Sequence, residues 1–202
     1  MGAHKTYLFF LVAALCHLMP LHAQELGGNS PDPTRHRIGF NIGYGNQGLG
    51  LNVNYDYRIN LIQLQYNYVF ISKSSWQLDI LVQPQYNFTD YSRNMYDPEL
   101  LTGTEFGINF GLVFRKNIVD NLLSLYGLVS TGPHSVSGVP DRQRPGFLFS
   151  NNFFGGLTLE LFKGTLLDFR LGFRHISNAN LWKPNGGINN IVIGGGLLFN
   201  LN

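Results

Sequence analysis

Cysteine is almost absent from these 202 residues, and the one present, Cys16, falls inside the apolar stretch Tyr7 to Cys16 that follows His4 and Lys5. That stretch is too short to cross a bilayer as a helix. It has the pattern of a secretory signal, with Leu21-His22-Ala23 as a cleavage site before Gln24. A lipid anchor on Cys16 is disfavoured, because Leu15 is bulkier than the small residue expected before a lipidated cysteine. The mature chain would then contain no cysteine, which excludes disulfides and thiolate metal centres, and no metal or other cofactor is expected. Strong charge of either sign is lacking too. The net charge is +2, and loss of the leader removes Lys5 alone, leaving +1. That excludes a strongly basic footprint for nucleic acid.

Charge is scarce as well as balanced: 13% of residues are charged, where a soluble domain carries about a quarter. Aromatic residues make up 14% and there are 24 glycines. So little charge suits a surface that meets lipid. Yet no stretch beyond the leader approaches the ~20 apolar residues of a membrane helix. Such a chain can cross a bilayer only as strands closed into a barrel, because lipid offers no partner to unpaired backbone groups.

What is present is alternation. Ile62, Leu64, Tyr66, Tyr68 and Phe70 alternate with Gln63, Gln65 and Asn67, and Trp76, Leu78, Ile80 and Val82 with Gln77, Asp79 and Gln83. Phe106 to Phe114 oppose Glu105, Gly107, Asn109 and Gly111; Phe147, Phe149, Phe153 and Leu157 oppose Ser150, Asn152 and Gly156. Further strands are expected over Arg37 to Gly45, Leu122 to Ser130, Leu166 to Ser177 and Asn189 to Leu201. Between Leu49 and Leu61 the apolar residues fall in the opposite phase to Ile62 and beyond. A bulge near Leu61-Ile62 would join both runs into one long second strand. With it the count is eight; without it, nine.

The expected fold is therefore all-β: an eight-stranded antiparallel transmembrane β-barrel of the outer-membrane type. Residues 1–23 form the signal peptide, 24–35 an irregular lead-in with Gly27, Gly28, Pro31 and Pro33, and 36–202 the barrel. Short connections near Ser72, Lys116 and Lys163 alternate with long ones at Thr89 to Thr102, Gly132 to Gly146 and Asn178 to Ile188. The long ones are assigned to the outer surface and the short ones to the periplasm. A soluble barrel with an apolar interior is the competing architecture. Glu105, Glu160, Asp168, Arg170, Arg174 and Asp79 are expected to pair with one another or with neighbours and plug the lumen. Gly194 to Gly196 mark a bend, or a dent in the surface. Membrane lipid and the outer-membrane assembly machinery are the expected partners.

The chemistry-bearing feature is His175-Ile176-Ser177-Asn178-Ala179. Residues two apart on a strand share a face, and the phase of Leu167, Phe169, Leu171 and Phe173 puts His175 and Ser177 on the apolar, lipid-facing side. A serine hydroxyl becomes an effective nucleophile when an imidazole takes its proton and a third group sets the imidazole's tautomer. By itself, His-x-Ser reads first as an interfacial histidine and a serine that begins a loop.

The longer run continues into Pro184-Asn185-Gly186-Gly187-Ile188 before the last strand, and it resembles the lipid A 3-O-deacylase (PagL) family of outer-membrane serine esterases. The resemblance implies that His175 is the general base and Ser177 the acyl-accepting nucleophile. It also implies that Asn185 helps hold the oxyanion with a backbone N–H just after Ala179, and that Asn178 and Asn180 position the substrate. The implied substrate is lipid A, or lipopolysaccharide, cleaved in the outer leaflet. Two positions depart from the family: Asn189 stands where its triad acid belongs, and Asn180 where many members have glycine. Asn189 keeps the outward parity of Ile191 and Ile193, so its amide oxygen can accept from His175, but without charge. A barrel that keeps the fold and binds lipopolysaccharide without catalysis is the alternative, and a structural or adhesive barrel a third reading. Arg93, Arg142, Arg144 and Lys183 read first as solvated loop charge, and second as contacts to lipid A phosphates.

Overall fold

The computed structural model describes residues 35–47, 55–97, 99–119 and 122–201. The signal and lead-in expected over 1–34 lie outside them, as does the alternation at 48–54. Eight strands form: β1 (His36–Asn46), β2 (Tyr57–Ser72), β3 (Trp76–Tyr91), β4 (Leu101–Val119), β5 (Leu123–Val136), β6 (Gly146–Phe162), β7 (Thr165–Ser177) and β8 (Ile188–Leu201). Each pairs antiparallel with its sequence neighbour, and β8 returns to β1, so the sheet is a closed barrel with no free edge. Connections of two or three residues at 73–75, 120–122 and 163–164 close one end. The longer ones gather at the other. They are shorter than the sequence suggests, because β3, β4 and β5 continue past the end of clean alternation.

The apolar side chains point outward. Ile193 is 63% exposed while Val192 beside it is 2% exposed, and Ile42, Leu64, Phe106 and Leu171 are likewise exposed. This is the inverse of a soluble barrel, whose apolar residues face in.

The second strand corrects the expectation of a bulge at Leu61-Ile62. β1 and β2 pair without interruption from Asn46↔Arg58 to His36↔Tyr68, and the irregularity between β2 and β3 lies at Val69/Ile71. Tyr57, Ile59 and Leu61 are buried inside the barrel. The phase change is a change in the chemistry of the interior, not in register. Near the long-loop end the lumen is filled by Tyr57, Ile59, Leu61, Val136, Leu148, Ile176, Ile188 and Val192.

Further down the lumen, charge is paired. Asp79 accepts from Arg115 Nε at 2.8 Å and Arg37 Nη1 at 3.2 Å. Asp168 binds Arg170 and, at 2.5 Å, the Tyr126 hydroxyl. Glu105 accepts from Arg174 Nη2 at 2.5 Å, Asn87 Nδ2 at 3.1 Å and the Tyr57 hydroxyl. Glu160 departs from the expected plug: its Oε1 accepts from the Gly164 N–H at 3.0 Å and secures the β6–β7 turn. Gly194 and Gly196 serve close packing, since a Cβ on Gly194 would lie 2.8 Å from Asn41 Oδ1 and one on Gly196 would overlap the Phe40 carbonyl of β1. Replacing Glu105 with Leu would leave Arg174, fully buried, without its carboxylate. The expected loss is about 3 to 5 kcal/mol of stability, measured as a lower midpoint of denaturant-induced loss of the heat-modifiable gel form.

Candidate active site

β7 alternates buried and outward residues up to its end: Arg174 and Ile176 are fully buried, whereas His175 and Ser177 lie on the outer surface of the barrel, each half-buried among its neighbours. His175 stands opposite Asn189 of β8 and opposite Asn151 of β6, and Ser177 opposite Phe149. Asn189 Oδ1 lies 2.6 Å from His175 Nδ1. An amide oxygen can only accept, so the imidazole proton sits on Nδ1 and Nε2 is left as the basic nitrogen. The Ser177 hydroxyl makes no hydrogen bond among the described residues, including none to His175.

Other groups hold this arrangement, and nothing in the sequence assigned them that role. The Asn189 N–H donates to the Tyr55 hydroxyl at 3.2 Å, and the Arg142 guanidinium stacks 4.9 Å from the centre of the Tyr55 ring. Gly187, with φ +64°, backs the imidazole: a Cβ there would lie 2.5 Å from His175 Cε1. The buried Gln143 fixes that glycine by accepting its N–H at 3.0 Å. Tyr55 belongs to the apolar run that leads into β2, and Gln143 sits in a loop far away in sequence. Only the Gly-Gly pair carried a local signal, that of a turn needing positive φ. Next to His175, Asn151 accepts from Thr131 Oγ1 at 2.8 Å.

The 178–187 loop is tied by its asparagines. Asn185 Oδ1 accepts from the Asn178 N–H at 3.0 Å, and its Nδ2 donates to Asn180 Oδ1 at 3.0 Å. The Asn178 side chain turns inward, is buried, and donates to the Trp182 carbonyl at 2.9 Å. Ala179 and Asn180 have φ of 52° and 65°. Asparagine is the side chain that best tolerates this left-handed region after glycine, which suits Asn180 to its place in the turn. Asp168 and Glu160 are both remote from His175, one in the lumen and one at the far turn, and no carboxylate pairs with His175 among the described residues.

A closed eight-stranded barrel, apolar outside and polar-plugged inside, with His175, Ser177 and Asn189 together on its outer wall, has the architecture of a small outer-membrane barrel. Residues 55–197 match the family model described as lipid A 3-O-deacylase (PagL), and the chain belongs to that family of the bacterial outer membrane. Among solved structures, the outer membrane enzyme PagL is similar at 16% identity, over 79% of this chain and 97% of that one, with a TM-score of 0.56. Neisserial surface protein A is similar at 12% identity, over 83% and 98%, with a TM-score of 0.50. At such identities these two likenesses concern the fold. No curated protein matches the sequence.

Proposed function

We propose that this barrel is a serine esterase that removes the 3-O acyl chain of lipid A in the outer leaflet. The observation that carries the reading is the 2.6 Å contact between His175 Nδ1 and Asn189 Oδ1, two residues from Ser177 on the lipid-facing wall. Ser177 Oγ attacks the ester carbonyl carbon while His175 Nε2 takes its proton; rotation of the free hydroxyl toward the imidazole precedes attack, since such contacts tighten only when substrate is bound. The oxyanion would meet the second hydrogen of Asn185 Nδ2 and the N–H of Asn180, with Asn178 holding the loop. His175 then protonates the departing sugar oxygen. Water, deprotonated by the same imidazole, releases the fatty acid from Ser177.

The long loops are taken as external, which puts Ser177 at the level of lipid A's ester groups. Export through a signal over 1–23 and insertion by the outer-membrane assembly machinery fit the same reading. Mass spectrometry of lipid A from cells with and without this protein tests it: loss of one 3-hydroxyacyl unit is the expected change, and an unchanged spectrum would refute the activity. The second reading, a barrel that binds lipopolysaccharide without cleaving it, is favoured by the uncharged Asn189. It predicts lipid retention with no fatty-acid release.

Gly187→Ala is a local test, since its methyl group would push the imidazole aside. A misplacement of about 1 Å can cost about 100-fold in rate, so a loss of about that size is expected in fatty-acid release by a barrel that stays heat-modifiable. Unchanged turnover would mean that the imidazole is not held from this side.

A further inference from the structure

Three of the connections at the long-loop end enclose a cleft of about 470 Å³ that the proposed chemistry does not use. Arg93 comes to it from the β3–β4 connection, Arg144 from β5–β6 and Lys183 from β7–β8. Among the described residues none of the three cationic groups is in an ion pair. Lys183 Nζ makes only a 3.3 Å contact to Asn180 Oδ1, and the one carboxylate in the lining, Asp141, is engaged at 2.9 Å by Asn94 Nδ2. Three like charges from separate loops repel one another unless an anion joins them.

The cleft is held open by backbone pairing rather than by chance packing. The Asp141 N–H donates to the Arg93 carbonyl at 2.9 Å, the Arg144 N–H to the Pro184 carbonyl at 3.0 Å, and the Gly186 N–H to the Arg142 carbonyl at 2.7 Å. The wall bearing Lys183 and Pro184 is the same loop that carries Asn180 and Asn185, so the cleft adjoins the candidate site. Tyr91 lines it as well, a ring suited to the face of a sugar.

We propose that this cleft binds a phosphate group carried on a sugar, namely a headgroup phosphate of the lipid whose ester lies at Ser177. Arg93 and Arg144 would bind the oxygens as forks and Lys183 as a point charge. The assignment rests on the function proposed above. Its effect is to select phosphorylated substrate and set the position of the sugar, with no part in bond cleavage.

The test uses the full barrel carrying Ser177→Ala in bilayer discs, so that binding is read without turnover. Lipid A with its phosphates is compared with phosphatase-treated lipid A. The phosphorylated form is expected to bind about tenfold tighter or more, charge-assisted contacts to phosphate being the strong ones, and Arg93→Gln with Arg144→Gln should erase the preference. Arg93→Gln alone should erase part of it, with heat-modifiable migration confirming that each variant is folded. Inorganic phosphate at millimolar concentration should not displace the lipid. Equal binding of the two lipids, a preference that survives both substitutions, or displacement by millimolar inorganic phosphate would each overturn the proposal. Failure of wild-type barrel to release fatty acid would count against the esterase alone, because binding of the phosphorylated lipid is read on the Ser177→Ala barrel without turnover. On an active barrel the double substitution should raise KM for phosphorylated lipid A and leave kcat unchanged.

Discussion

Ser177→Ala is expected to take fatty-acid release from purified lipid A to background, a loss on the order of 10⁴-fold or more, while the barrel remains folded. The hydroxyl lies on the lipid side of β7, where its removal leaves no buried partner unsatisfied, so stability should hardly change. His175→Ala should do nearly the same damage. Combining the two should add little, because nucleophile and base act as one unit. The measurement is free fatty acid by mass spectrometry, with heat-modifiable migration as the folding control. Wild-type turnover in Ser177→Ala would remove the nucleophile from the proposal, and full turnover in His175→Ala would remove the base.

Restoring charge at position 189 is expected to have the next largest effect, in the opposite direction. Asn189 Oδ1 already stands 2.6 Å from His175 Nδ1, so Asn189→Asp puts a carboxylate in the same place with the same number of atoms. The amide sets the tautomer as well as a carboxylate would. What it cannot do is stabilise the imidazolium that forms as Ser177 attacks, which a carboxylate does. A gain of about tenfold or more in deacylation at neutral pH is expected for Asn189→Asp or Asn189→Glu. Asn189→Ala should fall below wild type, because the imidazole is then free to place its proton on Nε2. Equal rates for all four proteins would show that this position does not act on His175.

How much of this was legible in the sequence varies from strand to strand. In β7 and β8 the alternation of single residues was enough: Phe169, Leu171 and Phe173 against Asp168, Arg170 and Arg174 put His175, Ser177 and Asn189 on one face, and the structure pairs His175 with Asn189 directly. In β2 the same reasoning failed. A bulge near Leu61-Ile62 would turn Tyr57, Ile59 and Leu61 to the same side as Ile62 and Leu64, yet no bulge is there and they fill the lumen. Period-2 alternation says which residues share a face and is silent on which face is inside. A strand whose two sides are both apolar near one end loses even the contrast.

By itself the sequence determined the strand class and the shared face of the His-Ser pair, because these follow from local periodicity, composition and the reach of two residues along a strand. Only the tertiary structure decided what surrounds the imidazole. Tyr55, Gln143 and Gly187 come from three separate connections, and their contacts with one another and with Asn189 arise from closure of the barrel, which brings the long connections together above the strands. The same closure decided that Arg93, Arg144 and Lys183 share a cleft. Hydrogen bonds and charge act over a few ångströms, and distances between loops about 40 residues apart are set by the sheet, not by the chain between them.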